Sequence, residues 1–413
     1  MYTVGEQDDH DEVFPLFEAP ERGRWRAPAE LEQRLYELSR AEEKYTYLRA
    51  LAAEGLYHPV PLAESERSAS RRRIVTHEVD DGRVVAHVYT AGVLPRPHPY
   101  VVYEFITLGT LARICPEEVD VLVVNGATPC RELFLTDGEE RQVWRELHEE
   151  LWDPEGLGDR LVTCRTGAPA PGPLLHGLAC GAHLCYGNGD AWNTLDWHGA
   201  GYSAEVERLE EFWDVRVRED WIDVQERLLT CQVSPWHWDF TLGARTALAR
   251  ESGPRVDPGM WRDCVEATLR RRVAPEAHGP ELEAFVAELR DLVGKILRYE
   301  SRFRADGLLA PDATVRTVAA WDLGRASTMA RWGLGARYAT RAEMYAALER
   351  ASAVTQSTYG SWEEFSGAYV MGRCLHFDDE RFGDWYTSVL EAHEVLSSVP
   401  ESPWHTVPFT LSG

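Results

Sequence analysis

Thr317-Val-Ala-Ala-Trp-Asp-Leu-Gly-Arg325, then Ala330-Arg-Trp-Gly333, Ser361-Trp-Glu-Glu-Phe365 and Gly372-Arg-Cys-Leu-His-Phe377, is the stretch whose periodicity decides the fold. At about 100° per residue, Val318, Trp321, Asp322, Arg325, Met329 and Trp332 share one helical face, with Gly324 and Arg331 on the other side. Asp322 and Arg325 therefore sit inside an apolar stripe. A lone buried charge is costly and a bonded pair much less so, so the two are expected to clasp each other. Gly333 and Gly335 are read as ending this helix. Thr340-Arg-Ala-Glu343 and Ser361-Trp-Glu-Glu364 are capping boxes that start two more helices. The inner face of the third helix is read as Phe365, Ala368, Tyr369, Gly372 and His376. A glycine in that row weakens a helix, so Gly372 is expected to admit a neighbouring backbone or ring.

These motifs, with Phe212-Trp-Asp-Val-Arg-Val-Arg-Glu-Asp220 and Ser402-Pro-Trp-His-Thr-Val-Pro-Phe409, resemble the bacterial family called domain of unknown function 1266. The resemblance covers about Leu174 to the C-terminus. It implies a helical fold and carries no established activity.

Upstream, 29–56 reads as one helix, with Leu31, Leu35 and Leu38 followed by Tyr45, Leu48 and Leu51, stopped by Gly55, Pro59 and Pro61. Ile74–Val79 and Arg83–Thr90 flank Asp80-Asp-Gly82 as a hairpin. Val101–Thr107 is a strand, Leu108–Cys115 a short helix, and Glu139–Trp152 a longer one. Asp120–Asn125 is almost wholly apolar, which places it centrally in a sheet. Ala86-His-Val-Tyr-Thr-Ala91, Leu108-Gly-Thr-Leu111 and Leu122-Val-Val-Asn-Gly126 resemble the SseB family over about residues 74–165; Gly126 stands where that family often has Pro. That resemblance implies a fold and an interaction role.

The expected fold class is α+β: a small N-terminal α/β domain (29–165) and a larger all-α, Trp-rich domain (174–413). An acidic tail (1–28) precedes them, and Gly167-Ala-Pro-Ala-Pro-Gly-Pro173 lies within a linker (166–173). Twelve of the fifteen Trp lie beyond residue 173, so indole burial is expected to dominate the second domain. Further helices are read at Leu174–Tyr186, Ala204–Phe212, Arg218–Thr230, Trp238–Ala249, Pro258–Arg272 and Pro280–Tyr299. Ser-Pro-Trp-His occurs at 234–237 and 402–405 and reads as a reused helix-end device.

The net charge of −25 is spread evenly, −13 over residues 1–165 and −12 over the rest. That disfavours a nucleic-acid partner. Arg71-Arg-Arg73 reads as a solvated strand edge. Eight cysteines without a Cys-x-x-Cys read as reduced thiols, and no apolar run approaches a membrane span, so the expected location is the cytoplasm. There is no phosphate loop, dinucleotide fingerprint, nucleophile elbow or His-Glu-x-x-His, and no cofactor is implied.

His176, Cys180 and His183 share a helical face with zinc-like spacing, and Cys185 follows. Leu, Ala and Gly surround them, so packing is the preferred reading and no metal is expected. Asp196-Trp-His198 and His237 are read as loop or core histidines. Glu364 belongs to its capping box, and Glu363 is read as solvated. The expected function is a non-catalytic protein-binding or regulatory module with an unknown protein partner and no nucleic-acid or membrane partner. The SseB-like resemblance adds a secretion or conflict setting. The alternative is an enzyme acting on an anionic small molecule, with a cleft around Asp322, Arg325, Arg331 and Trp332 and Glu363 as a further candidate.

Overall fold

The computed structural model describes residues 25–65, 74–95, 98, 100–153, 156, 158–164, 168–195, 202–274 and 279–411. The acidic tail up to residue 24, Arg71–Arg73 and Asp196–His198 lie outside the described residues. The fold is α+β, with a small sheet region near the N-terminus and a larger helical region after it. The chain forms two compact units: Met1–Ala170 with Cys185–Trp221 and Arg331–Met344, and Pro171–Leu184 with Ile222–Ala330 and Tyr345–Gly413.

Among the described residues of the first unit, two helices, Glu30–Arg40 and Lys44–Ala52, stand where a single one was expected. Glu42 between them has φ 60°, a left-handed conformation that a helix interior does not accept. Strand β1 (Leu56–Pro61) follows, where Pro59 and Pro61 had been read only as breakers. It pairs antiparallel with β4 (Val101–Ile106) in a two-stranded ribbon, Pro59 opposite Tyr103. A proline's missing N–H is tolerated where only one side of the strand is paired within the sheet.

The expected hairpin is present: β2 (Thr76–Glu78) pairs with β3 (Val84–Val88), and Gly82 takes φ 83° in the turn. β3 runs parallel to β5 (Val121–Val124), which pairs on its other side with β6 (Glu132–Leu135), so the apolar strand is central. β6 escaped the sequence reading because two of its four residues are exposed. The Leu108–Ile114 and Gly138–Leu151 helices pack together, and Leu35, Leu51, Leu111, Leu122, Phe134 and Trp144 join one core. Asp137 caps the longer helix by accepting from the backbone N–H groups of Glu139 and Glu140.

In the second unit, the Trp236–Ser252, Pro258–Arg272 and Pro280–Ala305 helices pack side by side, and Trp362–Phe377 packs on Asp384–Ser398. Trp261, Leu289, Phe303, Leu323, Met329, Phe365 and Tyr386 are buried in it. The expected Leu174–Tyr186 helix breaks at Gly181 into Pro173–Cys180 and Ala182–Asn188. Gly181 faces Ser327, whose Oγ would lie 2.8 Å from an added Cβ. Both Ser-Pro-Trp-His tetrads start helices, Trp236–Ser252 and Pro403–Thr406.

Gly333 does not end the Ala319–Gly335 helix. It lies within it, and a Cβ there would fall 2.1 Å from the Trp221 indole nitrogen. Thr340 and Glu343 close the expected capping box: Thr340 N donates to Glu343 Oε2 (2.8 Å) and Glu343 N to Thr340 Oγ1 (3.3 Å). At Ser361 the box is shifted. Ser361 Oγ accepts from Glu364 N (3.2 Å), but Glu364 reaches back to Gly360 N (2.7 Å).

Candidate functional site

The quoted stretch is pinned at its start by two side chains. Asp239 Oδ1 accepts from Val318 N (2.8 Å), and the Tyr359 hydroxyl oxygen accepts from Ala320 N (2.8 Å). One turn on, Asp322 is fully buried. It accepts from Val233 N (3.1 Å), Ser234 N (3.1 Å), Ser234 Oγ (2.7 Å) and the Arg325 guanidinium. Arg325 also donates from Nε to the Trp321 carbonyl (3.0 Å) and lies 4.2 Å over the Trp321 ring. Burial lowers its pKa, and Asp322 opposes the shift. Four donors leave this carboxylate little capacity for a ligand.

Arg331, farther along the helix, is 1% exposed and bonds elsewhere: to Cys185 Sγ (3.2 Å), Thr194 Oγ1 (3.5 Å) and the Ala191 carbonyl. Trp332 is buried beneath the Arg208 guanidinium, 5.2 Å from its ring centroid. Glu363 is exposed.

Of the zinc-spaced residues, His176 Nδ1 and Cys180 Sγ lie 3.9 Å apart, and each otherwise turns to a partner of its own. His176 Nε2 pairs with the Phe409 carbonyl (2.9 Å) and its ring stacks on Trp362 at 4.7 Å; burial pulls its pKa down to about 4. Cys180 Sγ faces Thr355 Oγ1 (3.4 Å), and burial pushes the thiol up to about 12. His183 stacks on Tyr369 at 4.4 Å and meets Ser366 Oγ (2.9 Å), which also meets His393 Nδ1 (2.8 Å). Among the described residues, no group of three or more His, Cys, Asp or Glu is placed to hold a metal. None of their helices is long and apolar enough to cross a membrane.

The surface feature tied to this stretch is aromatic. Ring contacts run from Trp236 through His237 and Trp238 to His376, Phe377 and Trp385, each step between 4.4 and 6.5 Å. Trp236 is 58% exposed, Phe377 41% and Trp385 51%. His376, expected on an inner face, is exposed among them. Trp321 underlies the row, 6.1 Å edge-on to Phe377. The clasp of Asp322 and Arg325 thus fixes the indole that supports the exposed rings.

Two groups went unread in the sequence. Arg245 donates to Glu300 through both guanidinium nitrogens (2.9 and 2.7 Å) while lying 4.4 Å over Trp261. Arg245 sits one turn from Thr241 and Leu242 in a buried stripe, the signal that singled out Asp322 and Arg325. Arg208 approaches Asp190 and Glu205, both at 3.6 Å. No curated protein and no solved structure matches the chain. Residues 208–409 match the model of the family described as Protein of unknown function (DUF1266).

Proposed function

We infer that this protein is a non-catalytic binding or regulatory module of the cytoplasm, and that its partner is another protein. One observation carries the reading: Trp236 at one end and Phe377 and Trp385 at the other stand exposed on a chain of ring contacts that passes through partly buried His237 and buried Trp238. Indoles anchor protein interfaces because they bury a large area at little entropic cost, and clustered exposed apolar groups mark such surfaces. The acidic chain, at −25, favours a partner whose basic residues flank an apolar anchor. An SseB-like domain at 29–165, joined through 166–173 to the helical domain, fits the same role. The enzyme reading draws no support from Asp322, whose acceptors are filled from inside the protein.

The test is paired capture from the source cell with the wild-type chain and the Trp236→Ser/Trp385→Ser variant. A basic protein retained by the first and lost by the second, with the melting temperature unchanged, is the expected result. Identical captured sets would overturn the reading.

A further inference from the structure

The first unit holds a cleft of about 620 Å³, within the range of small-molecule sites. Its charged walls include Glu32, Glu54, Arg160, Asp190 and Arg208, and its aromatic wall includes Phe105 and Trp152, 6.0 Å apart. Both of these arginines are engaged: Arg160 pairs with Glu54, and Arg208 with Asp190 at 3.6 Å.

Glu32 is different. It is 1% exposed and pairs with no cation among the described residues. Its Oε1 accepts from Thr90 Oγ1 (2.6 Å) and Gly92 N (3.2 Å), whereas Oε2 has no hydrogen-bond partner among the described residues. Gly92 makes the seat: a Cβ there would lie 2.6 Å from Oε2. Burial raises the pKa of this carboxyl. A buried acceptor left empty is costly, and a donor from a ligand would relieve that cost. Aromatic faces beside it favour positive charge. An anion would find Arg160 and Arg208 already paired and, beside the exposed Arg34, the three carboxylates of Glu32, Glu54 and Asp190 in the lining.

We propose that this cleft binds a small organic cation, an amine or guanidinium compound with an apolar body. Its N–H group donates to Glu32 Oε2, and its carbon skeleton lies against Trp152 and Phe105. The site is independent of the exposed aromatic row in the second unit.

The test is calorimetric titration of the full chain with phenethylamine and agmatine, set against phenylpropionate and phenethyl alcohol. At least one cation binds with release of protons in mildly acidic buffer, because its charge draws the Glu32 carboxyl into the ionised form. The acid and the alcohol do not bind. Glu32→Gln lowers the affinity by about tenfold or more and abolishes the proton release. Trp152→Ala also weakens binding. No binding by either cation, or equal binding by the acid, overturns the proposal. So does affinity unchanged in both variants. If Glu32→Gln does not fold, Trp152→Ala and the proton count decide: unchanged affinity without proton release overturns it.

Discussion

Gly372 lies against Trp321 so closely that a Cβ added to it would sit 2.5 Å from the Trp321 Cβ. The obstructing atom is next to the backbone, so it has little freedom to move aside. Gly372→Ala is therefore expected to destabilise the protein by about 1–3 kcal/mol through overpacking, although alanine favours a helix by about 1 kcal/mol. Gly243, exposed on the Trp236–Ser252 helix, meets nothing within 4 Å of an added Cβ. Gly243→Ala should stabilise by about the helix-propensity difference. Urea denaturation of both variants checks the opposite signs.

Removing one member of the buried clasp should cost more than removing both. Asp322→Ala leaves the Arg325 charge and the Ser234 hydroxyl without their shared acceptor, an expected loss of about 3–5 kcal/mol. Replacing Asp322 and Arg325 together by Leu and Met removes the stranded charge and should recover part of that loss. A double-mutant cycle measures the coupling. The same single change should alter the indole fluorescence, because the Arg325 guanidinium over the Trp321 ring loses the carboxylate that holds it there.

Acid should weaken the second unit as its buried histidines are driven to take up protons. Burial holds His176 and His393 at about 4, against 6.5 for a free imidazole. Between those values the unfolded chain binds protons that the folded chain refuses. Their contribution is fully present above pH ~6.5 and is lost as pH falls toward ~4, with a slope of up to two protons. Denaturation midpoints across that window should fall, and His393→Gln should flatten the slope.

The thiols should separate by burial. All eight cysteines are free, and of these only Cys231 and Cys264 are partly exposed. Burial pushes Cys231 up to about 12, which keeps its thiolate scarce. A thiol reagent should label Cys264 first in the native protein and the other cysteines only on unfolding. Peptide mapping after timed labelling reads the order.

Much of this was legible locally. The helical face of Val318 to Trp332, the capping box at Thr340, the hairpin around Gly82 and the centrality of Val121–Val124 follow from periodicity and turn chemistry, which act over a few residues. β1 was not legible, because Pro59 is compatible with a strand only once β4 supplies a partner on one side. Nor was the shape of the row from Trp236 to Trp385, whose members come from three separate helices.

The sequence by itself determined that Asp322 and Arg325 would share an apolar face, since three residues is less than one helical turn. Only the tertiary structure decided that Ser234, 88 residues away, completes the carboxylate's hydrogen bonds. The same holds for Glu32, buried with one oxygen unpartnered among the described residues. Local spacing fixes which side chains are driven inward. Which groups then meet them depends on chain closure over long separations, and no short-range pattern encodes that.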